Sequence, residues 1–116
     1  MSAPQPGYVI TVFRSRLRSE YQAEYQALAS ELLELARRTP GFVSLDRFTA
    51  EDGERLSVVT FDSAAAEEAW RDHPRHIEAR QLGRNRFLTE YSIAVCEVLR
   101  AHAATSPDTI GTNGQP

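Results

Sequence analysis

Apolar residues fall into six blocks separated by turn-forming residues, and the period within each block predicts its backbone. Tyr8-Val9-Ile10-Thr11-Val12-Phe13 is β-branched and aromatic and predicts a strand reaching about Arg16. Ser19, with Gln22 three residues on, makes a capping-box pattern that opens a helix. Tyr21, Tyr25, Leu28, Leu32 and Leu35 recur at spacings of four and three, one apolar stripe on a helix that runs to about Arg38 and ends at Pro40-Gly41. Phe42 to Thr49 and Arg55 to Phe61 read as two short strands joined across Asp52-Gly53, a pair suited to a type I′ hairpin turn. Paired across that turn, Val43 and Leu45 are expected to share a face with Val58 and Thr60, and Phe42 and Phe48 to share the other with Val59 and Phe61. Asp62 or Ser63 caps a second helix leading to Trp70 and His73. Pro74 lacks the N–H a helix interior needs, so the helix kinks or restarts there and continues through Ile77 and Leu82 toward Phe87. Tyr91 to Leu99 is the last strand.

The order is βαββαβ, which in one antiparallel sheet is an α+β, ferredoxin-like fold spanning residues 8–100. Residues 1–7 form a short extension. Residues 101–116 are predicted to be a disordered tail, because Thr105 to Pro116 offers too little apolar surface to offset ordering. The hairpin is partly apolar on both faces and two helices cover only one, so a homodimer with two sheets face to face is expected.

Composition narrows the function more than the fold. A chain of 116 residues makes one domain, and its net charge of −3 disfavours nucleic acid as a partner. All 13 basic residues are arginine, so no lysine is present for amine or Schiff-base chemistry. Cys96 is the only cysteine, which excludes an internal disulfide and argues against a cysteine-based zinc site; it reads as a small buried hydrophobe. No apolar run approaches the roughly 20 residues of a membrane span, and Met1 to Gly7 lacks the pattern of a signal peptide, so a cytoplasmic protein without membrane contact is expected.

Several features taken together resemble the antibiotic biosynthesis monooxygenase family: the strand-to-helix opening, Pro40-Gly41-Phe42, the Asp52-Gly53 hairpin, Trp70-Arg71-Asp72-His73-Pro74-Arg75-His76 and Val95-Cys96-Glu97-Val98. The resemblance covers about Tyr8 to Arg100. It implies a dimeric α/β barrel in which each protomer holds a cavity between helices and sheet. That family includes cofactor-free oxygenases of aromatic polyketides, quinol oxygenases and haem-degrading enzymes, so the fold alone does not choose the reaction. Haem-degrading members typically combine an asparagine on the first strand, a tryptophan on the second helix and a ligating histidine ten residues beyond it. Trp70 matches, but Arg80 stands where the histidine would be, and Arg14 and Ser15 where the asparagine would be. Haem is therefore expected only in the alternative reading, and no metal site is expected.

The leading expectation is a cofactor-independent monooxygenase that joins dioxygen to an electron-rich aromatic such as a polyketide, phenol or quinol. Such chemistry needs a base, groups that hold an anion, and a dry aromatic pocket. His73 and His76 are the candidate bases, three residues apart. Arg14, Arg80, Arg84 and Arg86 are candidate anion holders, and Trp70, Tyr21, Tyr25 and Phe13 candidate walls for a planar ligand. Each has a plainer reading. His73 beside a helix break suits a helix-end partner, Trp70 suits core packing, Arg14 an ion pair, and Arg84 and Arg86 a solvated face. Glu67-Glu68, Arg71-Asp72 and Arg75 read as a solvent-facing row of ion pairs. A non-catalytic dimeric module that binds a small hydrophobic or redox-active molecule is the alternative from a different class.

Overall fold

The structure, a computed structural model, describes residues 2–106; the part of the expected tail from 107 to 116 lies outside the described residues. Strands β1 (Val9–Leu17), β2 (Phe42–Thr49), β3 (Arg55–Phe61) and β4 (Leu88–Glu97) form one sheet. Its order is β2-β3-β1-β4 and every pairing is antiparallel, which is the ferredoxin-like arrangement. Helix α1 (Gln22–Arg38) joins β1 to β2, and α2 (Ala64–Arg71) and α3 (Pro74–Leu82) join β3 to β4, α3 ending in a π-helical turn over Gly83–Phe87.

Local chemistry sets these limits. At the start of α1 the capping box does not form: Ser19–Tyr21 is a single 3-10 turn, and neither Arg18 nor Tyr21 makes a side-chain cap. Backbone bonds do that work instead, with Tyr21 N–H donating to Arg18 O at 3.1 Å. Ser63 does cap α2, its Oγ accepting from Ala66 N–H at 3.1 Å. The residue before a proline is pushed out of the helical region. His73 is accordingly extended (φ −60°, ψ 133°), so α2 stops and α3 begins afresh with Pro74 at its first position.

The hairpin strands begin and end where the sequence places them, but the turn between them differs. A type I′ turn needs positive φ at both central residues. Gly53 alone has it here (+91°), and Ala50–Glu54 forms a longer connection closed by Ala50 N–H to Glu54 O at 2.8 Å. The expected face assignment is also corrected. A register shift between Phe42 and Ser44 puts Leu45 opposite Val59 and Phe48 opposite Leu56. Phe42 and Leu45 thus both reach the helix side, where they pack on the core, and Val58 pairs with Asp46 on the other face.

Gly41, at φ +94°, lets the chain leave α1 and enter β2. A Cβ there would lie 2.6 Å from both Ala66 Cβ and Asp62 Oδ1. Gly41→Ala is therefore expected to destabilise the fold by about 1–3 kcal/mol through backbone strain, and by more if the backbone cannot shift. A urea midpoint equal to that of wild type would contradict this account.

The core is divided. Ala36, Val59, Phe61, Ala66 and Trp70 make one buried cluster, against which Leu35, Phe42 and Leu45 pack. Leu28, Ala79, Phe87 and Leu88 make a second, joined by Phe13, Leu17, Tyr21, Tyr25 and Leu32. Members of both clusters wall the same cavity, so space lies where a continuous core would have run. Cys96, expected inside, is exposed, because strand alternation places it on the sheet face that no helix covers.

Candidate active site

Alternation and register together build the floor of the cavity. Three cross-sheet rows face the helices: Leu45, Val59, Thr11 and Val95; then Arg47, Ser57, Phe13 and Ile93; then Thr49, Arg55, Ser15 and Tyr91. All of these residues line one cavity of about 380 Å³. That volume suits a small organic ligand. Tyr25, Leu28 and Leu32 of α1, Glu67, Trp70 and Arg71 of α2, and His76, Arg80 and Arg84 beyond the helix break form its roof.

Trp70 is the centre of the roof. It is 7% exposed and packs on Phe61, with ring centroids 5.4 Å apart, and on His76, stacked at 4.2 Å with 26° between the planes. Its indole Nε1 is buried without a hydrogen-bond partner among the described residues, as is Thr11 Oγ1 on the floor. Buried polar atoms are nearly always paired, so these two unpaired atoms, one in the roof and one on the floor, are exceptions in the packing beside the cavity.

His76 is also buried, and desolvation lowers its pKa to about 4, with Arg80 and His73 acting in the same direction. It is neutral at physiological pH. Nδ1 lies 3.3 Å from the carbonyl oxygen of Arg71. A carbonyl can only accept, so this contact assigns the proton to Nδ1 and leaves Nε2 with a free lone pair.

The charge around the cavity is unbalanced. Among the described residues, Arg47, Arg55, Arg71, Arg80 and Arg84 line it, against the single carboxylate of Glu67. Arg47 donates to Ala29 O at 2.8 Å, Arg55 lies 5.8 Å from the centre of the Tyr25 ring, and Arg71 is 3.8 Å from Glu67. Among the described residues, Arg80 and Arg84 form no hydrogen bond or salt bridge. Burial raises the Tyr25 phenol pKa, a shift that Arg55, Arg47 and the Ser15 hydroxyl oppose.

Trp70, His76, Phe13, Tyr25, Arg80 and Arg84 thus come together as candidate site residues. His73 and Arg14 do not. The His73 ring caps α3, Nδ1 accepting from Arg75 N–H at 3.1 Å, outside the cavity lining. Arg14 alternates with Phe13 and Ser15 onto the opposite sheet face, where it pairs with Glu54. Tyr21 and Arg86 also lie outside the lining, stacked on one another at 4.9 Å. Sequence reasoning missed Arg47, Arg55, Arg71 and above all Glu67. Read as part of a solvent-facing ion row, it is 3% exposed and faces the cavity. Its place three residues before Trp70, on the same side of α2, was the available signal.

The family model for antibiotic biosynthesis monooxygenases matches residues 8–82. The chain belongs to this family. As an antibiotic biosynthesis monooxygenase family member it is 32% identical over 97 residues to the uncharacterized protein YqjZ of Bacillus subtilis, covering 84% of each chain. Among solved structures it is similar to Rv0793 from Mycobacterium tuberculosis, with a TM-score of 0.71 and 23% identity over 83% of this chain and 99% of that one. It is also similar to SnoaB from Streptomyces nogalater, described as a cofactor-independent oxygenase, with a TM-score of 0.69 and 16% identity over 87% of this chain and 98% of that one. The family assignment covers the floor strands β1 to β3 and the Trp70-to-Arg80 segment of the roof. No helix among the described residues is long and apolar enough to cross a membrane.

Proposed function

We propose that the protein is a cofactor-independent oxygenase that binds an electron-rich phenol or quinol as its anion and lets it react with dioxygen. The carrying observation is the surplus of arginine over carboxylate around a cavity roofed by the stacked Trp70 and His76 rings. Arginines at a partly dehydrated site favour the phenolate over the phenol, and only the phenolate readily gives an electron to dioxygen. One electron passing to dioxygen leaves a substrate radical and superoxide. Their recombination forms a C–O bond to a peroxide, which takes back the proton first removed from the substrate. Its O–O bond then breaks as the same carbon gives up its hydrogen, so that the second oxygen leaves as water and a quinone carbonyl remains. Trp70 supplies a flat wall and an N–H for a substrate carbonyl, and neutral His76 accepts a hydrogen bond at Nε2. The likeness to SnoaB supports this reading.

Oxygen uptake with anthrones, naphthols and quinols tests it. Arg80→Gln and Arg84→Gln are each expected to lower kcat/KM about tenfold, the effect of losing one charge-assisted hydrogen bond. Absence of uptake by wild type with every substrate class would exclude the oxygenase and favour a binding module.

The working unit is proposed to be a homodimer. Beyond Leu88, β4 is exposed along its length, and Tyr91, Ile93 and Val95 form an apolar row left 42–48% exposed. The sheet face opposite the helices, which carries Cys96, has no helix over it among the described residues. A second copy would bury both. Sedimentation should give a dimer, and Ile93→Asp should shift it toward monomer; a monomeric wild type at micromolar concentration would refute the assembly.

A further inference from the structure

We propose that Glu67 is the general base of this site, taking the hydroxyl proton of a bound phenol or quinol. This rests on the oxygenase reading for its substrate class, but it stands on geometry of its own. Glu67 is 3% exposed, yet it belongs to the cavity wall, and among the described residues it is the only carboxylate there. Among the described residues, no side chain or backbone N–H donates a hydrogen bond to it, and its one ion pair, to Arg71, is stretched to 3.8 Å. The carboxylate oxygens are not among the fully buried unpaired atoms, so they open onto the cavity, whereas a carboxylate with a purely structural role would normally be provided with donors. Its position on α2 puts it one turn from Trp70, the ring against which a planar substrate would lie.

The other buried base is less suited. His76 is committed through Nδ1 to the Arg71 carbonyl, and its burial beside Arg80 disfavours gaining a charge. The charges that act on Glu67 come from several elements. Glu68 and Asp72 on its own helix raise its pKa together with desolvation, while Arg71 and Arg80 lower it. Arg47 and Arg55 approach the same cavity from the sheet. The net direction is upward, toward a base closer to neutrality. In the step itself the substrate O–H bond breaks and its electron pair stays on oxygen. The proton forms an O–H bond on Glu67, and the negative charge passes from the carboxylate to a phenolate facing arginines.

The test separates proton transfer from oxygen chemistry. 4-Nitrophenol, whose ionised form is yellow, is titrated into wild type, Glu67→Gln and Glu67→Asp below the free phenol's pKa, with binding followed by calorimetry. Wild type is expected to bind it as phenolate with no proton released to the buffer, because Glu67 keeps it. Phenolate bound by Glu67→Gln among the same arginines must instead release one proton, a difference read from binding heats in buffers of unlike ionisation enthalpy. Glu67→Asp is expected to keep the proton as wild type does. Oxygen uptake by Glu67→Gln should fall about 100-fold or more, mainly in kcat. Matching melting curves establish that the variants fold. Phenolate bound by wild type with the same proton release as by Glu67→Gln, or neutral phenol bound by wild type, overturns the assignment. Ionisation without oxygen uptake by wild type upholds the base and rejects the oxygenase. No binding by wild type rejects both.

Discussion

Trp70→Ala is expected to cost about 3–5 kcal/mol of stability, the usual range for truncating a buried tryptophan. Trp70→Phe is expected to stay within about 1 kcal/mol of wild type. The contrast follows from what the indole touches. Its ring fills space against Phe61 and His76, but its Nε1–H has no partner among the described residues. Alanine opens a hole beside the cavity and leaves both neighbours without their contact. Phenylalanine keeps most of the packing and removes a buried donor whose desolvation is uncompensated, so the two changes largely offset. The same substitution should weaken a carbonyl-bearing aromatic ligand about tenfold, the size expected for one hydrogen bond to the indole N–H in the proposed complex. Urea melts and calorimetric titrations of both variants check this. A Trp70→Phe variant as unstable as Trp70→Ala would mean that the indole N–H has a partner in the free protein. Unchanged ligand affinity would mean that it does not point at the ligand.

How far the sequence reached depended on whether a feature is local. Strand limits in the hairpin, the Ser63 cap and the break at Pro74 are set by residues within a few positions of one another, and each was legible. The bulge after Phe42 was not. It inverts the faces of β2 relative to a straight two-residue alternation, and nothing in Phe42-Val43-Ser44 announces it. The same holds for the site. Trp70 and His76 were legible as aromatic and titratable residues beside a helix break. His73 looked equally good because its ring direction depends on the cap it makes, and Glu67 looked worse because charged helix residues usually face water. Arg47 and Arg55 entered the cavity through strand register alone. The split of the core into two clusters, which makes the cavity, is a property of how the layers fit and has no local signature.

Stability should fall by about 3 kcal/mol between pH 7.5 and pH 4 through His76 alone, and His76→Gln should remove that part of the loss. Above pH 6.5 the imidazole is neutral in both the folded and the unfolded chain and contributes no pH dependence. Between about 6.5 and about 4 the unfolded chain binds the proton while the buried ring does not, so each step down in pH favours unfolding. Near pH 4 the folded ring also takes the proton and the loss levels off. The size follows from about 1.36 kcal/mol per pKa unit on a group only 9% exposed. Glu67 works in the opposite sense. Its carboxyl is raised above the ordinary 4.5, so protonation favours the folded state as pH falls through the raised value. The carboxylates of Glu31, Asp52 and Glu54, lowered by their arginine partners, lose stabilisation only below their ordinary range. These contributions are common to wild type and His76→Gln and cancel in the difference between their urea-derived stabilities. Parallel pH profiles for the two proteins would place His76 in water rather than against Trp70. A difference that opens between pH 6.5 and 4 would fix it as a neutral imidazole buried in the cavity wall, which resists taking on a proton.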